Sequence, residues 1–313
     1  MTNTIASIDL GSHTARLLIA RVEDGCGTFE PLLRRRSYLY LARDFDPVLK
    51  RISTEASARA ITVLGDFSRA IKDWRTQDVV AVATGVVRKA VNRDLFLRAV
   101  FEETGLRVTV ITGEEEALLT GKGALWALGV KKPPFFVFDL GGGTTEFFCH
   151  SDEGRWVNSV SLGAMMLTNA FLAADPPTRR EMKALVEHID ETLDRKCPPF
   201  ASNGPVIGTG GTVAALCALQ NSISQHAIVP EKINGLALGL FEVESCLEKM
   251  RRLTTAQRIE RLGLDSGRAR VLVAGSAVVA RLLRYLKVSE FRVSMSDLLE
   301  GALMEFLEGE RHG

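Results

Sequence analysis

The chain has 313 residues, a net charge of +1, 46% apolar and 25% charged residues, an ordinary globular composition with length for about two domains and no excess charge for a dedicated nucleic-acid surface. No apolar run approaches a membrane span, and Asp9 and Arg16 interrupt the N-terminal apolar pattern, so it does not read as a signal peptide. Five scattered cysteines (Cys26, Cys149, Cys197, Cys217, Cys246) include no Cys-x-x-Cys pair, which favours free thiols in a reducing, cytoplasmic setting over disulfides or zinc.

Taken in order, residues 4–10 and 15–23 read as two strands flanking Gly11-Ser12-His13. Residues 29–41 read as a third, carrying Arg34-Arg35-Arg36 as the solvated face of an edge strand in preference to a polyanion contact. Ser53 is placed to cap a helix running to Trp74, in which Ala60, Leu64, Phe67 and Ile71 recur at helical spacing. Residues 78–83 read as a buried strand. Arg88 and Arg93 follow its end, the side on which α/β folds bind ligands, and Arg88 is a candidate phosphate contact. Asn92 is placed to cap the next helix, which ends at Gly105, and a strand follows over 106–111.

Thr112-Gly113-Glu114-Glu115-Glu116 then opens a helix. Three acids in a first turn suit the helix dipole, and one of them is a candidate general base; spacing alone does not choose among them. Lys131-Lys132-Pro133-Pro134 is the most linker-like stretch and marks a domain boundary near 130. The apolar run 135–140 then enters Gly141-Gly142-Gly143-Thr144-Thr145-Glu146 and leaves as a second apolar run, the pattern of a tight hairpin.

This hairpin repeats the first without a gap. Asp9-Leu10-Gly11-Ser12-His13-Thr14-Ala15-Arg16 aligns with Asp139-Leu140-Gly141-Gly142-Gly143-Thr144-Thr145-Glu146, so the chain reads as two related halves. Consecutive glycine amides make an anion-binding concavity. Acids at the edges suit a divalent metal that accompanies phosphate better than they suit bare phosphate. Further on, Thr178 and Glu181 form a capping box. Gly208-Thr209-Gly210-Gly211-Thr212 is a third glycine-rich strand end, where a helix N-terminus offers amides to an anion. Helices over 242–253, 256–262 and 268–286, a short strand at 291–293 and a last helix capped by Ser296 complete the pattern. The other histidines are isolated, and no transition-metal spacing occurs.

The four segments around Asp9, Glu116, Asp139 and Gly210 together resemble the exopolyphosphatase / guanosine pentaphosphate phosphohydrolase family of the actin–sugar kinase–Hsp70 ATPase superfamily, in its short two-domain form. The resemblance implies an α/β fold of two ribonuclease H-like (actin-like ATPase) domains with an interdomain cleft. The domains would span 1–130 and 131–295, with the C-terminal helix 296–313 packing back on the first. It implies Glu116 as catalytic base, and Asp139, Glu146 and Asp9 as Mg²⁺-linked acids. It also implies phosphate-binding loops at Gly11, Ser12 and His13, at Gly141, Gly142, Gly143, Thr144 and Thr145, and at Gly210, Gly211 and Thr212. The implied reaction is hydrolysis of a terminal phosphoanhydride in inorganic polyphosphate or guanosine pentaphosphate, with no nucleic-acid or membrane partner. A homodimer is common among relatives.

Four departures bear on substrate choice. His13-Thr14-Ala15 replaces the usual Asn-Ser-apolar wording, and residues 83–89 keep Thr84 and Arg88 but not the rest. Residues 38–46 lack the Arg-Leu-Gly turn. Residues 293–301 lack an arginine ahead of Glu300. The competing expectations are a non-catalytic sensor of guanosine tetra- or pentaphosphate, a small-molecule kinase of the same superfamily and an Hsp70-like ATPase switch.

Overall fold

The computed structural model describes residues 3–22, 28–46, 48–200, 203–224 and 227–310; Cys26, His226 and His312 lie outside them. The first apolar run becomes β1 (Asn3–Leu10). It turns into β2 (Thr14–Val22), then β3 (Phe29–Tyr38), as an antiparallel meander. A short ribbon, β4 (Phe45–Asp46) with β5 (Arg51–Ile52), precedes α1 (Thr54–Asp73). The Ser53 hydroxyl accepts the Ala56 amide at 3.1 Å, and Ala60, Leu64, Phe67 and Ile71 form the buried face of α1. β6 (Asp78–Ala83) returns parallel to β1. α2 (Gly85–Lys89) and α3 (Arg93–Thr104) follow, and β7 (Val108–Val110) lies parallel to β6 ahead of α4 (Gly113–Ala127). The sheet order is β3-β2-β1-β6-β7.

The same plan recurs. β8 (Phe135–Leu140), β9 (Thr145–Ser151) and β10 (Gly154–Val160) form the second meander. α5 (Ala164–Phe171) and α6 (Arg179–Lys196) lead to β11 (Val206–Thr209), parallel to β8. Then come α7 (Gly211–Gln220), α8 (Pro230–Ile233), β12 (Ala237–Gly239), α9 (Leu240–Met250), α10 (Thr255–Leu262), α11 (Ser266–Leu286), β13 (Glu290–Val293) and α12 (Leu298–Glu310). β13 runs parallel to β11, and β12 adds an antiparallel edge, giving β10-β9-β8-β11-β13-β12. Three antiparallel strands followed by two parallel returns is the ribonuclease H-like order, present in both sheets.

Two units result, Met1–Gly123 with Leu298–Gly313, and Ala124–Asp297, so the division falls inside α4. In the first, Ile8, Leu10, Leu17, Leu64 and Phe67 centre the core. In the second, Phe136, Phe138 and Phe147 pack with Leu272, Leu282 and Leu283 of α11. α12 belongs to the first unit and packs on β1, β2 and β6. It lies so close to α4 that a Cβ at Gly301 would sit 1.7 Å from the Leu119 carbonyl oxygen.

Several local expectations change. Asn92 stands at the N-cap of α3 without capping it, because its amide is engaged with the Ile52 backbone, accepting from N and donating to O at 3.0 Å each. Ser296 does not cap the last helix: α12 starts at Leu298, and the Ser296 amide donates to Ser294 Oγ at 3.2 Å. β3 is an edge strand, but Arg34 is more than a solvated side chain. It pairs at 2.6 Å with Glu300 of α12, whose side chain is 1% exposed. Leu299, where the usual arginine is missing, is buried. Cys149, Cys197 and Cys217 are buried and Cys246 is half-buried, all as free thiols. Burial pushes the Cys149 thiol up to about 12, well away from reactive-thiolate chemistry.

Candidate active site

Each unit carries one half of the aligned hairpin pair, and the two turns close identically. In the first, the Gly11 amide donates to the Thr14 carbonyl at 3.0 Å; in the second, Gly141 donates to Thr144 at 3.0 Å. Two further carbonyls on each turn are spent. Ser12 O accepts from Ala42 N, and His13 O from Leu39 N and Tyr40 N. Gly141 O accepts from Ala164 N, and Gly142 O from Met165 N and Met166 N, in the first turn of α5. With carbonyls turned inward, the Ser12, His13, Gly142 and Gly143 amides have no protein acceptor among the described residues, the arrangement of an anion nest.

Glycine is required at two contacts around these turns. Gly163 lies against the second turn, where a Cβ would approach the Gly143 backbone to 2.2 Å. Gly85 has φ +52° and faces Ser12, whose hydroxyl accepts the Val86 amide at 3.0 Å, so a Cβ would sit 2.1 Å from Ser12 Oγ. Positive φ and absent space both point to glycine. His13 is half-buried, and burial pushes its imidazole below the ordinary range.

In the first unit the structure separates the three acids of α4. Glu115 completes a capping box, with Thr112 N donating to Glu115 Oε2 at 2.7 Å and Glu115 N to Thr112 Oγ1 at 3.1 Å. Glu114 is exposed. Glu116 turns inward and accepts from Arg88 Nη1 at 2.8 Å, while the same nitrogen donates to Ile111 O at 3.0 Å. Burial raises the Glu116 carboxyl above its usual range. Arg88 opposes that rise, the negative charge of Asp9 adds to it, and the Thr84 hydroxyl opposes it. Asp9, Thr84, Arg88 and Glu116 therefore form one electrostatic cluster. Asp9 carries its own cation, since its Oδ2 accepts Arg16 Nε at 2.9 Å and Nη2 at 2.7 Å.

The second unit differs at the matching position. Asp9 faces Arg16 across β1 and β2, whereas Asp139 faces Glu146 across β8 and β9. Like charges directly opposite in a sheet repel. Glu146 is 3% exposed and accepts Ser159 Oγ at 2.7 Å. Gly210, at φ +100°, closes over this pair, with its Cβ position 2.7 Å from Asp139 Oδ1. α7 then begins with no side-chain cap, leaving its positive end for an anion. Two threonines expected at the loops use their side chains elsewhere. Thr145 is fully buried, and its hydroxyl donates to Leu162 O at 3.0 Å. Thr212 packs on α11, where a Cβ at Gly275 would meet its Oγ1 at 2.6 Å. Thr144 supplies the turn-closing carbonyl.

Hard carboxylate oxygens from Asp139 and Glu146 suit Mg²⁺, which keeps most of its waters and needs only one or two carboxylates beside substrate oxygens. No larger His/Cys/Asp/Glu cluster capable of holding a metal occurs among the described residues. Sequence reading gave Arg16 and Ser159 no role, and noted Thr84 only as a retained position. Arg16 had a signal, as a charge within the apolar strand start that aligns with Glu146.

Two ribonuclease H-like units bearing these hairpins define a protein of the actin-like ATPase fold. The chain belongs to the Ppx/GppA phosphatase family, whose model it matches over residues 18–310. It is 32% identical to exopolyphosphatase 2 of Mycobacterium tuberculosis, over 95% of this chain and 96% of the relative. It is 28% identical to exopolyphosphatase 1 of Mycobacterium leprae, over 98% and 90%. Among solved structures it resembles the Aquifex aeolicus Ppx/GppA family member, with a TM-score of 0.88 and 28% identity over 100% of both chains. The fold is also that of an exopolyphosphatase from Cytophaga hutchinsonii, with a TM-score of 0.85 and 24% identity over 98% of each.

Proposed function

We propose that the protein hydrolyses the terminal phosphoanhydride of a phosphate chain, with inorganic polyphosphate as first substrate and guanosine pentaphosphate as second. The order follows the relatives named as exopolyphosphatases. The observation that carries the mechanism is the inward turn of Glu116, a half-buried carboxylate held by Arg88 and raised above its ordinary range by burial. A base works best when its pKa lies near the operating pH.

In this reading Glu116 takes a proton from water as the water oxygen bonds to the terminal phosphorus and the bridging P–O bond breaks. Arg88 orients the base and offers positive charge to the substrate, and Asp9 tunes the base through its charge. The Ser12, His13, Gly142 and Gly143 amides and the first turn of α7 bind phosphate oxygens. Asp139 and Glu146 would hold Mg²⁺, which when bound supplies neutralisation of charge on the transferring and leaving oxygens. Free thiols at four described cysteines fit a cytoplasmic setting. No helix among the described residues is long and apolar enough to cross a membrane.

The test is phosphate release with Mg²⁺ from long polyphosphate, guanosine pentaphosphate and ATP in parallel. Release from polyphosphate that disappears in Glu116→Gln is expected. Substrate binding without release by the wild type would replace hydrolysis with the sensor reading.

A further inference from the structure

Thr209 ends β11 in parallel register with Asp139, so its side chain leaves the sheet on the Asp139 face, one strand over. Gly208, the residue before it, lies on the opposite face, where a Cβ would run into the Phe138 and Phe291 rings. A polar row therefore crosses four strands: Ser159, Glu146, Asp139, Thr209. At one end the Ser159 hydroxyl is bonded to Glu146. At the other, Thr209 is fully buried, and its Oγ1 has no hydrogen-bond partner among the described residues.

A buried hydroxyl without a partner destabilises a fold, and valine would keep the shape without that cost. Ser7, Thr76 and Thr120 also bury hydroxyls without a partner among the described residues. Ser7 lies between Leu18 and Val80 in its sheet, Thr76 lies between α1 and β6 outside the sheets, and Thr120 lies within α4; none of them shares a row with a carboxylate pair. Thr209 does, at the strand end beside Gly210.

We propose that Thr209 is a positioning residue for the cation site of the second unit, its hydroxyl accepting a hydrogen bond from a water of the hydrated divalent cation held by Asp139 and Glu146. Ser159 and Thr209 then flank the carboxylate pair as outer supports, a role that tunes metal affinity without direct ligation. This rests on the magnesium assignment made above.

The test uses the full chain and Mn²⁺ as the probe, following free Mn²⁺ by its paramagnetic resonance signal for wild type, Thr209→Val, Thr209→Ser and Asp139→Asn. Thr209→Val is expected to bind Mn²⁺ about 10-fold more weakly, with Thr209→Ser restoring most of the affinity. Metal-free Thr209→Val should melt at or above the wild type. Wild-type Mn²⁺ affinity in Thr209→Val, with loss in Asp139→Asn, would reduce Thr209 to packing and leave the cation site standing. A lower metal-free melting temperature in Thr209→Val would show that the hydroxyl serves the fold, and overturn the proposal. Unchanged affinity in Asp139→Asn would remove the magnesium assignment and this role together.

Discussion

Replacing Arg88 by methionine removes the cation that holds Glu116 but keeps much of the side-chain volume. The two side chains are only 21% and 14% exposed and meet at 2.8 Å, so water screens the pair weakly. At an effective dielectric of about 20, unit charges about 4 Å apart interact by about 4 kcal/mol, and an opposite charge at that range displaces a carboxyl titration by about 1–3 pH units. Of the rest of the environment, burial first and then Asp9 favour the neutral acid, opposed by the Thr84 hydroxyl. Without Arg88 the base should therefore ionise later. The acid limb of kcat against pH is expected to move alkaline by about 1–3 units in Arg88→Met, with turnover recovering as pH rises. The assay is steady-state phosphate release across the acid-to-alkaline range, separating kcat from KM. An acid limb that stays in place while KM rises would refute the clamp and leave Arg88 as a substrate contact alone.

Glu116→Gln should lower turnover by about 10²–10⁴-fold with substrate affinity kept, measured by phosphate release and binding in parallel. The raised Glu116 carboxyl contributes stability that is present below its unfolded pKa and lost as pH rises through the folded one. Glu116→Gln should consequently melt higher than the wild type at neutral pH, and pH-dependent calorimetry checks the sign. Arg34→Met leaves Glu300 charged and buried without its partner guanidinium, for an expected loss of about 3–5 kcal/mol in denaturant titration. Gly301→Ala forces α12 off the Leu119 carbonyl and should cost about 1–3 kcal/mol.

The fold was legible wherever local chemistry repeats. The aligned Asp-Leu-Gly hairpins announced two related halves, and their turns close with the same Gly-to-Thr bond. Ser53 and Thr178 capped where a hydroxyl precedes an amphipathic run. What escaped depends on partners far along the chain. Asn92 is spent on Ile52, forty residues earlier, and the Thr145 hydroxyl on Leu162. β4, β5 and β12 span only two or three residues each, too short for any period to show. The three acids of α4 are equivalent in composition. The family resemblance pointed to Glu116, and the capping bond of Glu115 and the approach of Arg88 are what distinguish the three physically.

In the proposed mechanism the grip of the glycine turns would come from groups that do not titrate. The carbonyls of the second turn are consumed by the opening turn of α5, which both aims the amides outward and sets the positive end of a helix behind them. Amides and helix ends hold the same charge in acid as in base. An anion seated there would be held about equally well over a wide pH range. Protonation of Glu116 would then govern whether a held phosphate is cleaved, while retention by the amides stays constant. In the proposed mechanism capture and turnover would fall to chemically different parts, and a shift in pH would slow the second without releasing what the first has caught.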